Sequence, residues 1–225
     1  MKLVILECDR VPEPLSTIGG QYGDMFVTSF RRVRPDWSFE VINVMDGALP
    51  PADPGAAYLI SGSRHDAFDD TPWIQALRQW VIDAERAALR VVGVCFGHQL
   101  IAHALGGVAG RAAGWGVGRM PAQACQPLPF ESADLLVSHQ DQVLRLPPQA
   151  ERLLASDFCP NYAFRTASIL GIQGHPEFTP AYARALAEAR RERIGSERID
   201  EALATLSDPI NADAVLDWLA DELTV

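Results

Sequence analysis

Short apolar runs alternate with amphipathic stretches along the first half of the chain. Residues 3–6 (Leu-Val-Ile-Leu) form a compact apolar run that stops at polar Glu7 and Asp9, the pattern of a buried strand. After the break at Gly19-Gly20, residues 22–33 fit a helix, and residues 39–44 read as a second strand. A Pro/Gly/Asp-rich loop over 46–55 leads into a third strand at 57–60, which ends at Ser61-Gly62-Ser63. Thr71-Pro72 opens a helix, with proline at its first position. Trp73, Leu77, Trp80, Val81 and Ala84 then share one face at a spacing of about 3.6 residues. Residues 90–94 make a fourth strand. It runs into Cys95 and a helix over 97–105, closed by Gly106-Gly107.

The second half is patterned differently. Between 110 and 130 glycine and proline are frequent and helical signals few. Short strands follow at 135–138, 152–156, 162–165 and 169–173. Thr179-Pro180 opens a long Ala/Arg/Glu helix to about Arg193, and a last helix spans about 212–223. Strands alternating with helices imply parallel βαβ units. The fold expected is an α/β three-layer sandwich with a mostly parallel central sheet and antiparallel strands added by the second half. No repeat or linker divides the sequence, so one domain over 1–225 is expected.

Charge narrows the partners. With 19 Lys and Arg against 29 Asp and Glu, the formal charge is −10. That argues against nucleic acid or an anionic membrane, whose phosphates need clustered cations. The four cysteines, Cys8, Cys95, Cys125 and Cys159, show neither disulfide-scaffold density nor zinc-ligand spacing. The N-terminal apolar run is too short for a signal peptide, and no run approaches the ~20 residues of a membrane helix. A cytoplasmic protein with reduced thiols, no metal and no cofactor is expected.

Candidate chemistry centres on Gly93-Val94-Cys95-Phe96-Gly97, between a strand and a helix. This is the nucleophile-elbow pattern with cysteine at its centre, where glycines relieve the crowding of a tight turn. A helix N-terminus beneath the sulfur favours a thiolate over a thiol. A base is available in Gly174-His175-Pro176-Glu177. If Pro176 holds this segment extended, His175 and Glu177 face the same side, so the carboxylate can orient the ring and leave its other nitrogen for Cys95. An oxyanion needs preorganised N–H donors, and the backbone amides of Phe96 and Gly62 are the candidates.

His98 could touch the site but reads better as a packed helix residue, and His103 as structural. His65 with Asp66, Asp69 and Asp70 reads as a solvated acidic loop rather than a metal cluster. The 114–118 segment (Gly-Trp-Gly-Val-Gly) reads as a plain glycine-rich turn, with a role at the pocket as the alternative. The run 190–193 (Arg-Arg-Glu-Arg) reads as a solvated helix face. Cys8, Cys125 and Cys159 are taken as structural.

Residues 93–99 (Gly-Val-Cys-Phe-Gly-His-Gln), together with 174–178 (Gly-His-Pro-Glu-Phe), resemble the class I glutamine amidotransferase signature. More narrowly, the chain is similar to stand-alone GMP synthase-like amidotransferase domains, including plant-type γ-glutamyl peptidases. The resemblance spans about residues 55–180 and implies a flavodoxin-like sandwich with a Cys95–His175–Glu177 triad. It further implies that Cys95 attacks the side-chain amide of glutamine, or another γ-glutamyl bond, to form a γ-glutamyl thioester. Gln99 would contact the glutamyl group. Ser138 and His139, in Ser138-His139-Gln140-Asp141, would hold its α-amino and α-carboxylate ends. Such a pocket is expected to carry few charged side chains. A separate synthase that accepts ammonia is a possible partner, an independent γ-glutamyl hydrolase the alternative, and a non-catalytic regulatory protein of the same fold a further one.

Overall fold

The sheet that the apolar runs build is what places the site. In the computed structural model, which describes residues 1–224, the chain runs β1 (Lys2–Glu7), α1 (Ser16–Gly19), α2 (Tyr22–Val33), β2 (Ser38–Asn43), β3 (Ala56–Ile60), α3 (Pro72–Arg86), β4 (Val91–Val94) and α4 (Phe96–Ala104). It continues through β5 (Val108–Ala124), β6 (Ser132–Arg145), β7 (Glu151–Ala155), β8 (Ala163–Arg165) and β9 (Ile169–Ile172). The chain closes with α5 (Pro180–Ala189), α6 (Arg191–Ile194), α7 (Ser196–Ala204) and α8 (Ala212–Glu222).

Among the described residues there is one nine-stranded sheet, in the order β2-β1-β3-β4-β9-β8-β7-β5-β6. The five strands from β2 to β9 pair in parallel. From β9 through β8, β7 and β5 to β6 every pairing is antiparallel. Alternation along β1 shows how the layers form, because successive side chains leave opposite faces of a strand. Leu3 and Ile5 pack with Phe26 and Phe30 of α2 and Leu216 and Leu219 of α8. Val4 and Leu6 pack on the other face with Leu77 and Val81 of α3 and Leu100 and Ile101 of α4. The result is the expected three-layer α/β sandwich.

Two expectations fail in the second half. The Gly/Pro-rich stretch is strand: β5 runs for 17 residues against the 14 of β6, with a register shift between Arg111 and Gly116. The 114–118 segment is therefore the irregular middle of a strand rather than a turn. Gly118 is needed there, since its φ is +86° and a Cβ would come within 2.7 Å of the Ala202 carbonyl oxygen on α7. The single helix expected to Arg193 is two, and a third that the pattern did not announce, α7, follows it. α5 stops at Ala189, and Gly195, at φ +102°, separates α6 from α7. Glycine adopts such a positive φ at no steric cost, which suits it to the break.

Candidate active site

Cys95 sits at the C-terminal end of β4, where ligand sites of open α/β sheets form. Its φ is +53° and its ψ −101°, a conformation non-glycine residues rarely adopt and one that clusters at functional sites. The strain is held from both sides: the Cys95 N–H donates to the Ile172 carbonyl of β9 (2.9 Å), and the Cys95 carbonyl accepts from Gln99 (3.0 Å). The glycines do what the elbow requires. A Cβ on Gly93 would stand 2.5 Å from the Gly97 carbonyl carbon, and one on Gly97 would strike the Ile60 carbonyl oxygen. No side chain caps the N-terminus of α4, so its amides remain directed at the turn that carries the sulfur.

His175 follows β9 and is pinned to β6, its N–H donating to the Leu136 carbonyl at 2.9 Å. Gly174 before it has no room for a side chain, because a Cβ would collide with the Tyr162 hydroxyl. His175 itself pairs as a strand residue with Leu136, but the extension expected to run on through Pro176 to Glu177 is not found. Residues 175–178 form a turn, closed by the Phe178 N–H on the His175 carbonyl at 3.4 Å, with proline at the second position that suits it. The turn nevertheless sets Glu177 Oε1 2.6 Å from His175 Nδ1. Phe178 stacks on the imidazole at 3.9 Å and 6°. The Cys95 side chain lies on the ring's other side, near enough for its charge to act on the imidazole.

The electrostatics follow from this packing. Burial works against the charged imidazole of His175. The opposing pull of Glu177 and Cys95, by charge and by hydrogen bond, is larger and raises its pKa to about 10. The second Glu177 oxygen, Oε2, is buried without a hydrogen-bond partner, which leaves the imidazole as the carboxylate's counterpart. Gly62 lies beside both His175 and Cys95: a Cβ there would be 2.9 Å from His175 Cε1 and 3.8 Å from Cys95 Cβ. The Ser61 hydroxyl fixes this strand end by accepting from Cys8 N–H and donating to the Gly62 carbonyl, both at 2.9 Å.

Gln99, Ser138 and His139 line the same cleft as Cys95. The Gln99 amide nitrogen donates to the Asp141 carbonyl (2.7 Å) and to Gln173 Oε1 (3.2 Å). His139 Nδ1 is 3.1 Å from the Asp141 carbonyl, which can only accept, so Nδ1 carries the hydrogen. Burial, with the nearby His175 charge adding to it, lowers the His139 pKa to about 3 and keeps the ring neutral.

The cleft carries more charge than expected. Arg64, Arg111, Arg190 and Arg193 line it together with Asp66 and Asp141. The Arg190 part of the 190–193 run is no solvated face: its Nη1 donates to the Ser138 hydroxyl (2.7 Å) and carbonyl (3.1 Å). Arg193 lies over the Trp115 ring at 4.9 Å. Trp115 itself reaches the cleft through the β5 irregularity, the role weighed as the alternative for that segment. Arg191 fits the solvated reading better, paired with Glu188 and Asp200. A run of like residues on a helix gave no sign of this split, because it depends on where α5 breaks.

The remaining candidates lie outside the cluster, except that His65 and Asp66 border the cleft. His98 is buried against Phe164, and neither of its ring nitrogens has a hydrogen-bond partner among the described residues. Burial lowers its pKa to about 3. His103 is half-buried on α4, and its pKa is also lowered by burial. His65 packs edge-on against Trp73, and Asp66 pairs with Arg111. Among the described residues no group of three His, Cys, Asp or Glu could hold a metal ion, and no helix is long and apolar enough to cross a membrane. Cys8 and Cys159 are buried and Cys125 is exposed.

The family model for glutamine amidotransferase class-I matches residues 69–187. Gamma-glutamyl peptidase 5 of Arabidopsis thaliana is 34% identical over an alignment covering 71% of this chain and 68% of that protein. The glutamine-hydrolyzing GMP synthase of Thermomicrobium roseum is 33% identical over 71% of this chain and 30% of its own length. A glutamine amidotransferase structure from Thermotoga maritima superposes with a TM-score of 0.74, covering 99% of this chain and 96% of that one at 19% identity, a likeness of fold. This chain belongs to the class I glutamine amidotransferase family.

Proposed function

We propose that the protein hydrolyses a γ-glutamyl amide bond with Cys95 as nucleophile, His175 as acid and base, and Glu177 as the group that orients His175. The observation that supports this most directly is the chain of contacts from Glu177 through the His175 ring to a sulfur perched on a strained turn. Cys95 Sγ and His175 Nε2 share one proton at the start, and it resides on the ring as the sulfur attacks. Cys95 Sγ attacks the γ-carbonyl carbon, and the carbonyl oxygen becomes an anion held by the Gly62 and Phe96 N–H groups. His175 Nε2 gives its proton to the departing nitrogen as the C–N bond breaks, leaving a γ-glutamyl thioester and a free amine or ammonia. Water then gives a proton to His175 Nε2 and attacks the thioester. Glutamate departs, and the starting Cys95–His175 pair with its shared proton is restored.

Gln99, Ser138 and His139 fit as contacts of the glutamyl end, with His139 presenting a neutral ring. The test is glutamate release from glutamine and from γ-glutamyl peptides by the chain alone, beside Cys95→Ser. Turnover that disappears in the variant while the circular dichroism is unchanged supports the assignment. Retained turnover would refute it. Mass spectrometry of acid-quenched enzyme should show a γ-glutamyl adduct on the peptide containing Cys95.

A second reading, an ammonia-donating subunit for a separate synthase, is supported by the similarity to a GMP synthase. It predicts feeble turnover of glutamine that rises when the acceptor enzyme is added.

A further inference from the structure

An aromatic ring covers one face of His175. The residue is otherwise held along its backbone and one edge: its N–H donates to the Leu136 carbonyl at 2.9 Å, and its Nδ1 faces Glu177 at 2.6 Å. A contact in the plane of the imidazole fixes where one nitrogen points and leaves the ring free to tilt about that contact. Phe178 removes this freedom, with ring centroids 3.9 Å apart and planes 6° from parallel. The turn over 175–178 explains the pairing, since a turn brings its first and fourth residues side by side. The same four residues therefore deliver both the carboxylate and the stacked ring.

Phe178 is itself fixed. Tyr182 of α5 meets it edge-on at 4.8 Å and 62°, and Tyr22 of α2 lies nearly parallel to it at 6.3 Å and 16°. Val11, Leu15, Met25 and Leu136 complete the apolar cluster around it. Leu136 is also the residue whose carbonyl anchors His175, so one residue of β6 supports both rings. A side chain locked by packing can in turn lock the group it touches. Phe178 also lines a cavity of about 590 Å³ that His175 does not line. Without the phenyl ring the imidazole would have space to turn into.

We propose that Phe178 is a positioning residue for the reaction, holding the His175 ring in the plane in which Nδ1 meets Glu177 and Nε2 is turned toward Cys95. This rests on the reading of His175 as the acid and base of γ-glutamyl hydrolysis. Two effects of the stack act together. The flat face keeps the base aligned, and a displacement of about 1 Å at such a group can cost about a hundredfold in rate. An aromatic face also attracts a cation lying over it, so the stack favours the protonated imidazole that gives its proton to the departing nitrogen. Both effects need a planar ring at position 178, and an aliphatic side chain of similar bulk supplies neither.

The experiment measures kcat and KM against pH for glutamine and γ-glutamyl-alanine in the wild type, Phe178→Leu and Phe178→Tyr. Leucine keeps the surroundings apolar, so burial still opposes the charge on His175, while the hold of Glu177 and the aromatic face weaken. The alkaline limb of kcat/KM should therefore move down from near pH 10 in Phe178→Leu. Its kcat should fall by about 10- to 100-fold with KM little changed. Phe178→Tyr keeps the flat face and should keep the limb and most of the rate. Limb position and KM do not depend on how much of a variant folds, so they separate positioning from lost stability. If leucine prevents folding, Phe178→Met gives the same comparison with a long, flexible side chain. An unmoved limb, a raised KM with kcat intact, or a tyrosine variant as impaired as the leucine one overturns the proposal while leaving Cys95 chemistry standing. Absence of wild-type turnover on every γ-glutamyl compound, or turnover retained in Cys95→Ser, overturns the hydrolase reading and this inference with it.

Discussion

Glu177 Oε1 stands 2.6 Å from Nδ1 of His175, and both side chains are buried. Burial alone would favour a neutral imidazole. Here the neighbouring carboxylate and Cys95 reverse that preference and carry the His175 pKa to about 10. Replacing Glu177 with Gln keeps the shape, removes the charge and lets burial count for more. The alkaline limb of kcat/KM should then move from near pH 10 to lower pH, and kcat should fall by about 10²–10⁴-fold, as when a triad carboxylate is neutralised. Stability carries the same signature. A raised histidine pKa contributes stability that is fully present below about pH 6.5 and is lost as pH rises through about 10. Urea unfolding between pH 6.5 and 10 should show that loss in the wild type and much less of it in Glu177→Gln. An unmoved limb and equal stability profiles would remove Glu177 from the role given to it.

The glycines of the site separate strain from function. Alanine at Gly97 would drive its Cβ into the Ile60 carbonyl of β3, a backbone atom that cannot move aside cheaply. Gly97→Ala should lose about 2–4 kcal/mol of stability, as overpacked and strained sites do. Alanine at Gly62 meets the edge of the His175 ring at 2.9 Å, and the rest of its surroundings are more open. Gly62→Ala should therefore stay folded and lose about 10- to 100-fold in kcat, through a displaced base and a displaced oxyanion donor. Chemical denaturation run beside steady-state kinetics tests both. The pair is misassigned if the Gly62 variant unfolds and the Gly97 variant merely slows.

The cysteines should differ in solution as they do in place. Burial pushes the Cys8 thiol up strongly and the Cys159 thiol up to about 12. Neither should react with iodoacetamide at neutral pH until the protein unfolds. Cys125 is exposed, and Cys95 opens on the cleft. Mass spectrometry of briefly alkylated protein should find the label on those two, with loss of activity following Cys95. Early modification of Cys8 or Cys159 in the folded state would contradict the packing around β1 and β7.

The sequence made the parallel half of the sheet legible because each strand there is a short apolar run bounded by turn residues, and the helix over Tyr22–Val33 has the limits its pattern predicts. The elbow was equally plain, since Gly93 and Gly97 flank Cys95 in one contiguous run, although what demands Gly97 is the distant Ile60 carbonyl of β3. What the pattern hid depends on distant partners. β5 carries four glycines and a proline from Gly110 to Pro121, poor strand formers, and exists because β6 and β7 supply its ladder. That hairpin sets Ser138 and His139 beside His175. Arg190 joins the site only because α5 ends at Ala189, which composition does not announce. Pro176 gave the right neighbours for the wrong reason, since the pairing of His175 with Glu177 arises from a turn.

Acid should weaken the fold through two buried histidines. Burial lowers His98 and His139 to about 3, so neither takes a proton in the folded state at moderately acid pH, whereas both do near pH 6.5 when unfolded. A depressed histidine pKa contributes stability that is present above about 6.5 and lost as pH falls towards 3. Between pH 6.5 and 5, above the range in which ordinary carboxylates titrate, each should contribute a slope approaching about 1.4 kcal/mol per pH unit. Leucine at position 98 cannot take the proton and can still pack on Phe164. His98→Leu should therefore lose about a third to a half of the slope in a urea-unfolding series over that window, the rest coming from His139 and the less buried His103, while His175, protonated in both states at its lower end, contributes little there. A slope unchanged by the substitution would show that the His98 ring reaches a proton without unfolding, contrary to its complete burial.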